Sequence, residues 1–367
     1  MNEIQRYLAE EIAIDCSKGH ISRPEAMRRL KVMGLSAAVV AALLSACGGE
    51  SDAPATSSPA EMNAMTPDVP ASGMTTPDPA SPPSGTASPD TNAPPAMDMP
   101  ASSNEGNVTP VAPPDMVAPT TPTPAPDANP TPPSGTEMAV PTEEITFAGP
   151  NGVVLQGAWA SAAAPRGAVL VIHENRGLND HIRSVAGRFA AAGYSAIALD
   201  LLSEEGGTAS LGDVANATAA LGNADPARFV ADMRAALDEL ERRVPGAAIG
   251  AIGFCFGGGM MWRLVASGDE RLAAVAPFYG PLPQGADFSG SNAAVLGVYG
   301  ELDTRVNATR DAADTALTTA GLEHEMVTFP GANHAFFNDT GMNYNAAAAA
   351  EAWTRVLAWF DEHLAAP

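Results

Sequence analysis

Gly253-Phe254-Cys255-Phe256-Gly257-Gly258-Gly259 is the stretch on which the fold turns. Before it runs an apolar, strand-like segment, Ala247 to Phe254; after it, Met260-Met261-Trp262-Arg263-Leu264-Val265 has a helical pattern. The pattern is strand, tight turn, helix, with a nucleophilic side chain at the turn and glycines two residues to either side. Crowding explains the glycines. So sharp a turn holds its apex residue in a strained backbone conformation, and only residues without a Cβ let strand and helix come close. A buried core thiol on a glycine-rich turn would look the same, because free cysteine is among the most buried residue types. The neighbouring segments decide between the two.

Working outward, Gly167 to His173 is a nearly continuous apolar run, as expected of a central parallel strand covered on both faces. Glu144 to Phe147 and Val153 to Trp159 read as a hairpin turned at Gly149-Pro150-Asn151-Gly152. Asn179 to Ala192 is helical in pattern and Tyr194 to Leu202 is the next strand. Asp225 is placed to cap a helix with Pro226 at its first position, running to about Arg243. Leu272 to Tyr279, Ala293 to Tyr299 and Glu325 to Phe329 are further strands; Asn307 to Ala320 and Asn345 to Leu364 are helices. The stretch Ser203 to Asn223 fits no element of the pattern. Alternating strands and helices predict an α/β fold with a doubly wound, mostly parallel sheet.

In such a sheet, chemistry is placed just past the carboxyl ends of the strands. Gly300-Glu301-Leu302-Asp303 follows one strand, and Pro330-Gly331-Ala332-Asn333-His334 follows the last. The order Cys255, Asp303, His334 is that of nucleophile, acid and base in α/β-hydrolases, with Cys in the usual Ser position. Together with His173-Glu174-Asn175-Arg176-Gly177-Leu178 and Asn333-His334-Ala335-Phe336, the domain from about Glu144 to Leu364 resembles the dienelactone hydrolase family. The resemblance implies Cys255 as nucleophile, His334 as its base and Asp303 as the carboxylate that orients the imidazole. It implies backbone N–H groups of Phe256 and Asn175 as oxyanion donors, and Glu174 as the glutamate that contacts the resting thiol. It implies hydrolysis of a lactone or small ester through an acyl-thioester, with no cofactor and no metal. Family members acting on dienelactone hold its carboxylate with arginines, one of them four residues after the histidine. Here that position is Asn338, leaving Arg176 and Arg305 as candidate substrate contacts. A catalytically silent binding protein on the same fold is the alternative.

The chain has 367 residues, and 22 of its 33 prolines fall between Ser51 and Val140, a window with no Lys or Arg. Residues 48–140 are therefore expected to be a disordered tether, and 141–367 the hydrolase-like domain. That domain carries 13 Arg, no Lys and 26 Asp plus Glu, a net charge of 13 − 26 = −13, which argues against nucleic acid as a partner. Cys16, Cys47 and Cys255 lie far apart in sequence and build no disulfide framework or metal-ligand spacing.

Residues 1–47 read as an export signal outside the fold. Arg28, Arg29 and Lys31 precede an apolar run from Val32 to Leu44, too short to span a bilayer comfortably. Leu44-Ser45-Ala46-Cys47 resembles a bacterial lipobox, which makes Cys47 the lipidated residue. The paired arginines are similar in part to a twin-arginine signal, and a start at Met27 would give an ordinary n-region. The expectation is a monomeric, membrane-anchored lipoprotein facing the periplasm or cell exterior.

Overall fold

The computed structural model describes residues 1–47 and 139–364. The expected tether, 48–140, lies outside the described residues except for 139 and 140. Eight strands form one sheet: β1 (Glu143–Ala148), β2 (Val154–Ala160), β3 (Ala168–Ile172), β4 (Ser195–Asp200), β5 (Ile249–Phe254), β6 (Leu272–Phe278), β7 (Ala294–Gly300) and β8 (His324–Phe329). Their spatial order is β1-β2-β4-β3-β5-β6-β7-β8. The β1/β2 and β2/β4 pairs are antiparallel and every other pair is parallel. Every residue of β3, β4 and β5 is buried, which is why these strands read as unbroken apolar runs.

The helices between the strands are α4 (Asp180–Ala191), α5 (Val214–Asn223), α6 (Pro226–Arg243), α7 (Phe256–Ala266), α8 (Thr304–Asn307), α9 (Arg310–Ala320) and α10 (Ala346–His363). Their starts follow capping chemistry. Asn179 Oδ1 accepts from the N–H of Ile182 at 3.1 Å, and Asp225 Oδ1 accepts from Ala227 at 2.9 Å ahead of Pro226. Phe189 of α4 packs on Trp353 and Phe360 of α10, and Phe229 of α6 packs edge-on against Phe256 of α7. Helices thus flank the sheet as the alternation of elements predicts. The helix expected over Asn307 to Ala320 begins at Arg310 as α9, after the separate short helix α8. Ser203 to Asn223, which fitted nothing in the sequence, supplies α5.

The expectation that residues 1–47 stand outside the fold is overturned. They form α1 (Glu3–Ser17), α2 (Arg23–Val32) and α3 (Ala37–Leu43), packed on the hydrolase-like unit. Ile4, Tyr7, Leu8 and Ile12 make one apolar stripe along α1, and each is buried. α5 is the surface that receives it, with Leu8 and Met33 lying against Gly222. Asn2 Nδ2 donates to Gly222 O at 2.9 Å, and Gln5 Nε2 to Asn223 Oδ1 at 2.9 Å. The apolar run of the supposed signal therefore has partners: α3 packs on α1 and α2, and those two helices pack on α5, in the segment that was given no element from the sequence. Cys47 is buried as well, its thiol 3.6 Å from Ala13 O. Burial and contact with Cys16 push that thiol up to about 11, so two cysteines distant in sequence are neighbours in space. No described helix is long and apolar enough to cross a membrane.

Candidate active site

Cys255 sits between β5 and α7 with φ 55° and ψ −114°, a conformation L-residues rarely adopt. Its N–H donates to Phe278 O at 3.0 Å, fixing the turn to the end of β6. A Cβ on Gly257 would lie 2.5 Å from Ile172 O, so the glycine lets α7 start directly against β3. Phe256 is the first residue of α7, so its N–H is among the helix donors with no partner four residues back.

Asp303 and His334 arrive from the loops after β7 and β8, as the sequence order required. His334 Nδ1 donates to Asp303 Oδ2 at 2.6 Å, and Asp303 Oδ1 accepts from Val306 N at 3.3 Å as the cap of α8. Both carboxylate oxygens are thereby engaged; His334 Nε2 is buried with no hydrogen-bond partner among the described residues, and the His334 ring, Cys255 Sγ and the Glu11 carboxylate lie within 4.8 Å of one another. Burial opposes charge on His334, but the Asp303 carboxylate and then Cys255 outweigh it and lift the imidazole to about 10. Cys255, His334 and Asp303 are all buried.

Glu174 and Asn175 follow β3. Glu174 is buried; Oε2 accepts from Asn338 Nδ2 at 2.7 Å, while Oε1 has no partner among the described residues. The carboxylate is thus bonded to Asn338, not to the adjacent Arg176. Asn175 O accepts from Thr218 Oγ1 at 3.0 Å, tying the loop after β3 to α5. His173 secures the same loop from behind. Its Nδ1 lies 2.6 Å from Glu174 O, and its Nε2 accepts from Leu201 N at 3.2 Å. Burial lowers its pKa, consistent with a neutral ring that donates from one nitrogen and accepts at the other.

Cys255, Glu174, Asn175, Arg176, His334 and Asn338 line a common cavity of about 160 Å³. Arg305 does not; it faces a second cavity of about 420 Å³ beside Phe256 and Met260. Sequence reasoning missed three residues here. Tyr279, directly after β6, packs edge-on to His334 with ring centroids 5.2 Å apart and has no partner for its hydroxyl among the described residues. It lies past a strand end, so the rule that found Asp303 and His334 could have found it. Tyr7 and Glu11 come from α1: Tyr7 Oη is 3.3 Å from Cys255 Sγ, and Glu11 Oε2 is 3.4 Å from His334 Nε2. Nothing in the local sequence of α1 indicated that pairing.

Two groups of metal-competent side chains occur among the described residues, Glu11 with Cys255 and His334, and Glu323 with Glu362 and His363. The second is largely exposed. The first contains Cys255 and His334, whose sulfur and imidazole would suit a thiophilic cation.

The dienelactone hydrolase family profile matches residues 155–364. A candidate carboxymethylenebutenolidase of Escherichia coli O157:H7 is 32% identical over 216 residues, covering 54% of this chain and 78% of that one. One from Saccharolobus solfataricus is 28% identical over 249 residues, covering 58% and 96%. The crystal structure of a candidate dienelactone hydrolase from Klebsiella pneumoniae superposes with a TM-score of 0.54 at 28% identity, covering 60% of this chain and 99% of that one. The matched residues contain the elbow, both strand-end loops and the turn after β3, and the chain belongs to the dienelactone hydrolase family.

Proposed function

We propose that Cys255, His334 and Asp303 hydrolyse a lactone or small carboxylic ester through an acyl-thioester on Cys255. Family membership makes the chain a hydrolase of the lactone and ester type. The observation that supports the finer reading is the His334 Nδ1–Asp303 Oδ2 bond of 2.6 Å behind a cysteine held at φ 55°. In the first half-reaction the thiol proton passes to His334 Nε2, and the thiolate attacks the substrate carbonyl carbon. The N–H groups of Phe256 and Asn175 receive the developing oxyanion. The C–O bond breaks, and the leaving oxygen takes the proton from His334. In the second, His334 takes a proton from water, hydroxide adds to the thioester, the thiolate departs with the carboxylic acid released, and the proton on His334 returns to the sulfur. Glu174 Oε1, buried and unpartnered, is available to hold the thiol proton in the resting site. A thiol suits activated esters such as enol lactones; a thioester formed from an amide would lie uphill.

Turnover of lactones and aryl esters above the background of Cys255→Ala is the test. Cys255→Ala and His334→Ala should each abolish it, because nucleophile and base act as one unit. Asp303→Asn should cost on the order of 10⁴ in turnover, the loss that follows from a wrong imidazole tautomer in a triad. Wild-type turnover in Cys255→Ala would remove the assignment.

Export and lipid anchoring through Cys47 remain part of this reading, supported by the basic cluster, the apolar run and the Leu44–Cys47 tetrad. Two acyl chains suffice for stable attachment, at about 0.8 kcal/mol per buried CH₂. Metabolic labelling with a fatty-acid analogue should mark the wild type and not Cys47→Ser.

A further inference from the structure

We propose that α1–α3 form a plug built into the chain, which holds the hydrolase latent until it is displaced. The inference rests on the catalytic reading of Cys255 and His334. It begins with position. A carbonyl carbon poised for attack must lie about 3–3.5 Å from the nucleophile. Tyr7 Oη stands 3.3 Å from Cys255 Sγ, so the hydroxyl occupies the shell that the substrate carbon has to enter. Glu11 blocks the base in the same way. Its carboxylate is 3.4 Å from His334 Nε2, the nitrogen that has to take the thiol proton. With Asp303 on the other ring nitrogen, carboxylates stand on both sides of the imidazole.

The helix is seated along its length. At its start, Glu3 Oε1 accepts from Gln284 N at 2.8 Å and Glu3 pairs with Arg263. At its centre, Glu11 pairs with Arg305, whose guanidinium lies 4.2 Å over the Tyr7 ring. At its end, Lys18 Nζ donates to Asn333 Oδ1 at 3.1 Å, one residue before the catalytic histidine. These ties bracket the elbow, and burial of Ile4, Leu8 and Ile12 supplies the apolar contact that such polar ties lack.

The helix also borders both spaces at the site. Glu11 and Asp15 line the smaller one with Cys255; Glu3, Ile4, Tyr7 and Glu10 line the larger one with Arg305. Arg305, a candidate substrate contact from the sequence, is thus engaged by the plug and becomes available only when Glu11 leaves. The Leu44–Cys47 tetrad stands directly after α3, so cleavage before Cys47 would remove all three plug helices and no part of the sheet. Under the export reading, the step that exposes the anchor residue also opens the site.

The test uses the full chain. Leu8→Asp places a carboxylate on the buried stripe of α1 without altering any hydrolase residue, and should undock the helix. Two readouts are taken together: the rate of Cys255 alkylation by iodoacetamide, assigned by peptide mass, and hydrolysis of an aryl ester. The plug predicts at least about a tenfold rise in both, because a site that is seldom open reacts in proportion to its open fraction. Glu3→Ala with Lys18→Ala, at exposed positions, should give a smaller rise in both and covers the case in which Leu8→Asp fails to fold. A synthetic peptide of residues 1–47 should reverse the gain. Equal alkylation in wild type and both variants would overturn the plug. So would a fall in hydrolysis with the thermal transition intact, which would make α1 a working wall of the active site. Faster alkylation with no hydrolysis would keep the plug and discard the hydrolase reading.

Discussion

At the scale of single residues, Asn338 carries the prediction about substrate charge. Its Nδ2 is spent on Glu174, and no guanidinium stands at the position where the family arginine is expected. A hydrogen bond to a charged group is typically worth about 1.5–3 kcal/mol, or roughly tenfold to a hundredfold in affinity. A methyl-ester lactone should therefore exceed its free acid in kcat/KM in the wild type, and Asn338→Arg should move the ratio toward the acid. Strong preference for the acid in the wild type would show that Arg176, which lines the cavity, holds the carboxylate instead. Asp232 makes a second test. Its side chain is buried on α6, neither oxygen has a hydrogen-bond partner among the described residues, and burial raises its pKa to about 6. A carboxyl whose folded pKa exceeds its unfolded one binds protons more readily in the native state, so its contribution is favourable at low pH. That contribution is lost as pH rises from about 4 through about 6. Asp232→Asn should raise stability at pH 7 by roughly 1–3 kcal/mol and change little at pH 4, read from urea midpoints. That Cys255, Asp303 and His334 come together was legible because each is fixed by a strand end and a chain order. Tyr279 obeys the same rule without belonging to a triad, and so passed unnoticed.

Among the elements, the elbow shows how far a glycine pattern can be read. Four glycines in a row of seven residues look alike in sequence, but the structure separates them. A Cβ on Gly257 meets the Ile172 carbonyl, whereas one on Gly259 finds nothing nearer than Pro281 at 3.7 Å. Gly259→Ala should be neutral or stabilising by up to about 1 kcal/mol, since alanine is the better helix former. Gly257→Ala should lower the melting temperature and the activity together, because strand and helix must move apart. The opposite ranking would mean the turn is packed differently. Strands β3, β4 and β5 were legible as apolar runs because both of their faces are covered. α5 was not, because its sequence, Val-Ala-Asn-Ala-Thr-Ala-Ala-Leu-Gly-Asn, carries small residues whose meaning depends on what they receive. They receive α1 and α2, and those helices were missed for the reciprocal reason. A stripe of four apolar residues identifies a helix that must pack, without saying on what.

For the whole molecule, charge and composition were read directly, while the arrangement of the first 47 residues was not. A basic stretch ahead of an apolar run has the same sequence signature whether it is exported or folded back onto a later helix. The domain's net charge of −13 makes a prediction of its own. Raising salt shortens the screening length from roughly 30 Å at about 0.01 M to about 3 Å at 1 M, so kcat/KM for an anionic lactone should rise several-fold over that range. A neutral ester should respond little; equal responses would mean the field of the domain does not reach the site. The central claim, that an ester or lactone is opened by acyl transfer to Cys255, has a direct measurement. The Leu8→Asp chain is mixed with an activated aryl ester, quenched in acid within the first turnover, and digested for peptide mass analysis. The account predicts the acyl mass on the peptide containing Cys255 and on no other, lost on further incubation and absent in Cys255→Ala. Turnover with the acyl group on another residue, or with none found at any quench time and undiminished in Cys255→Ala, would contradict it.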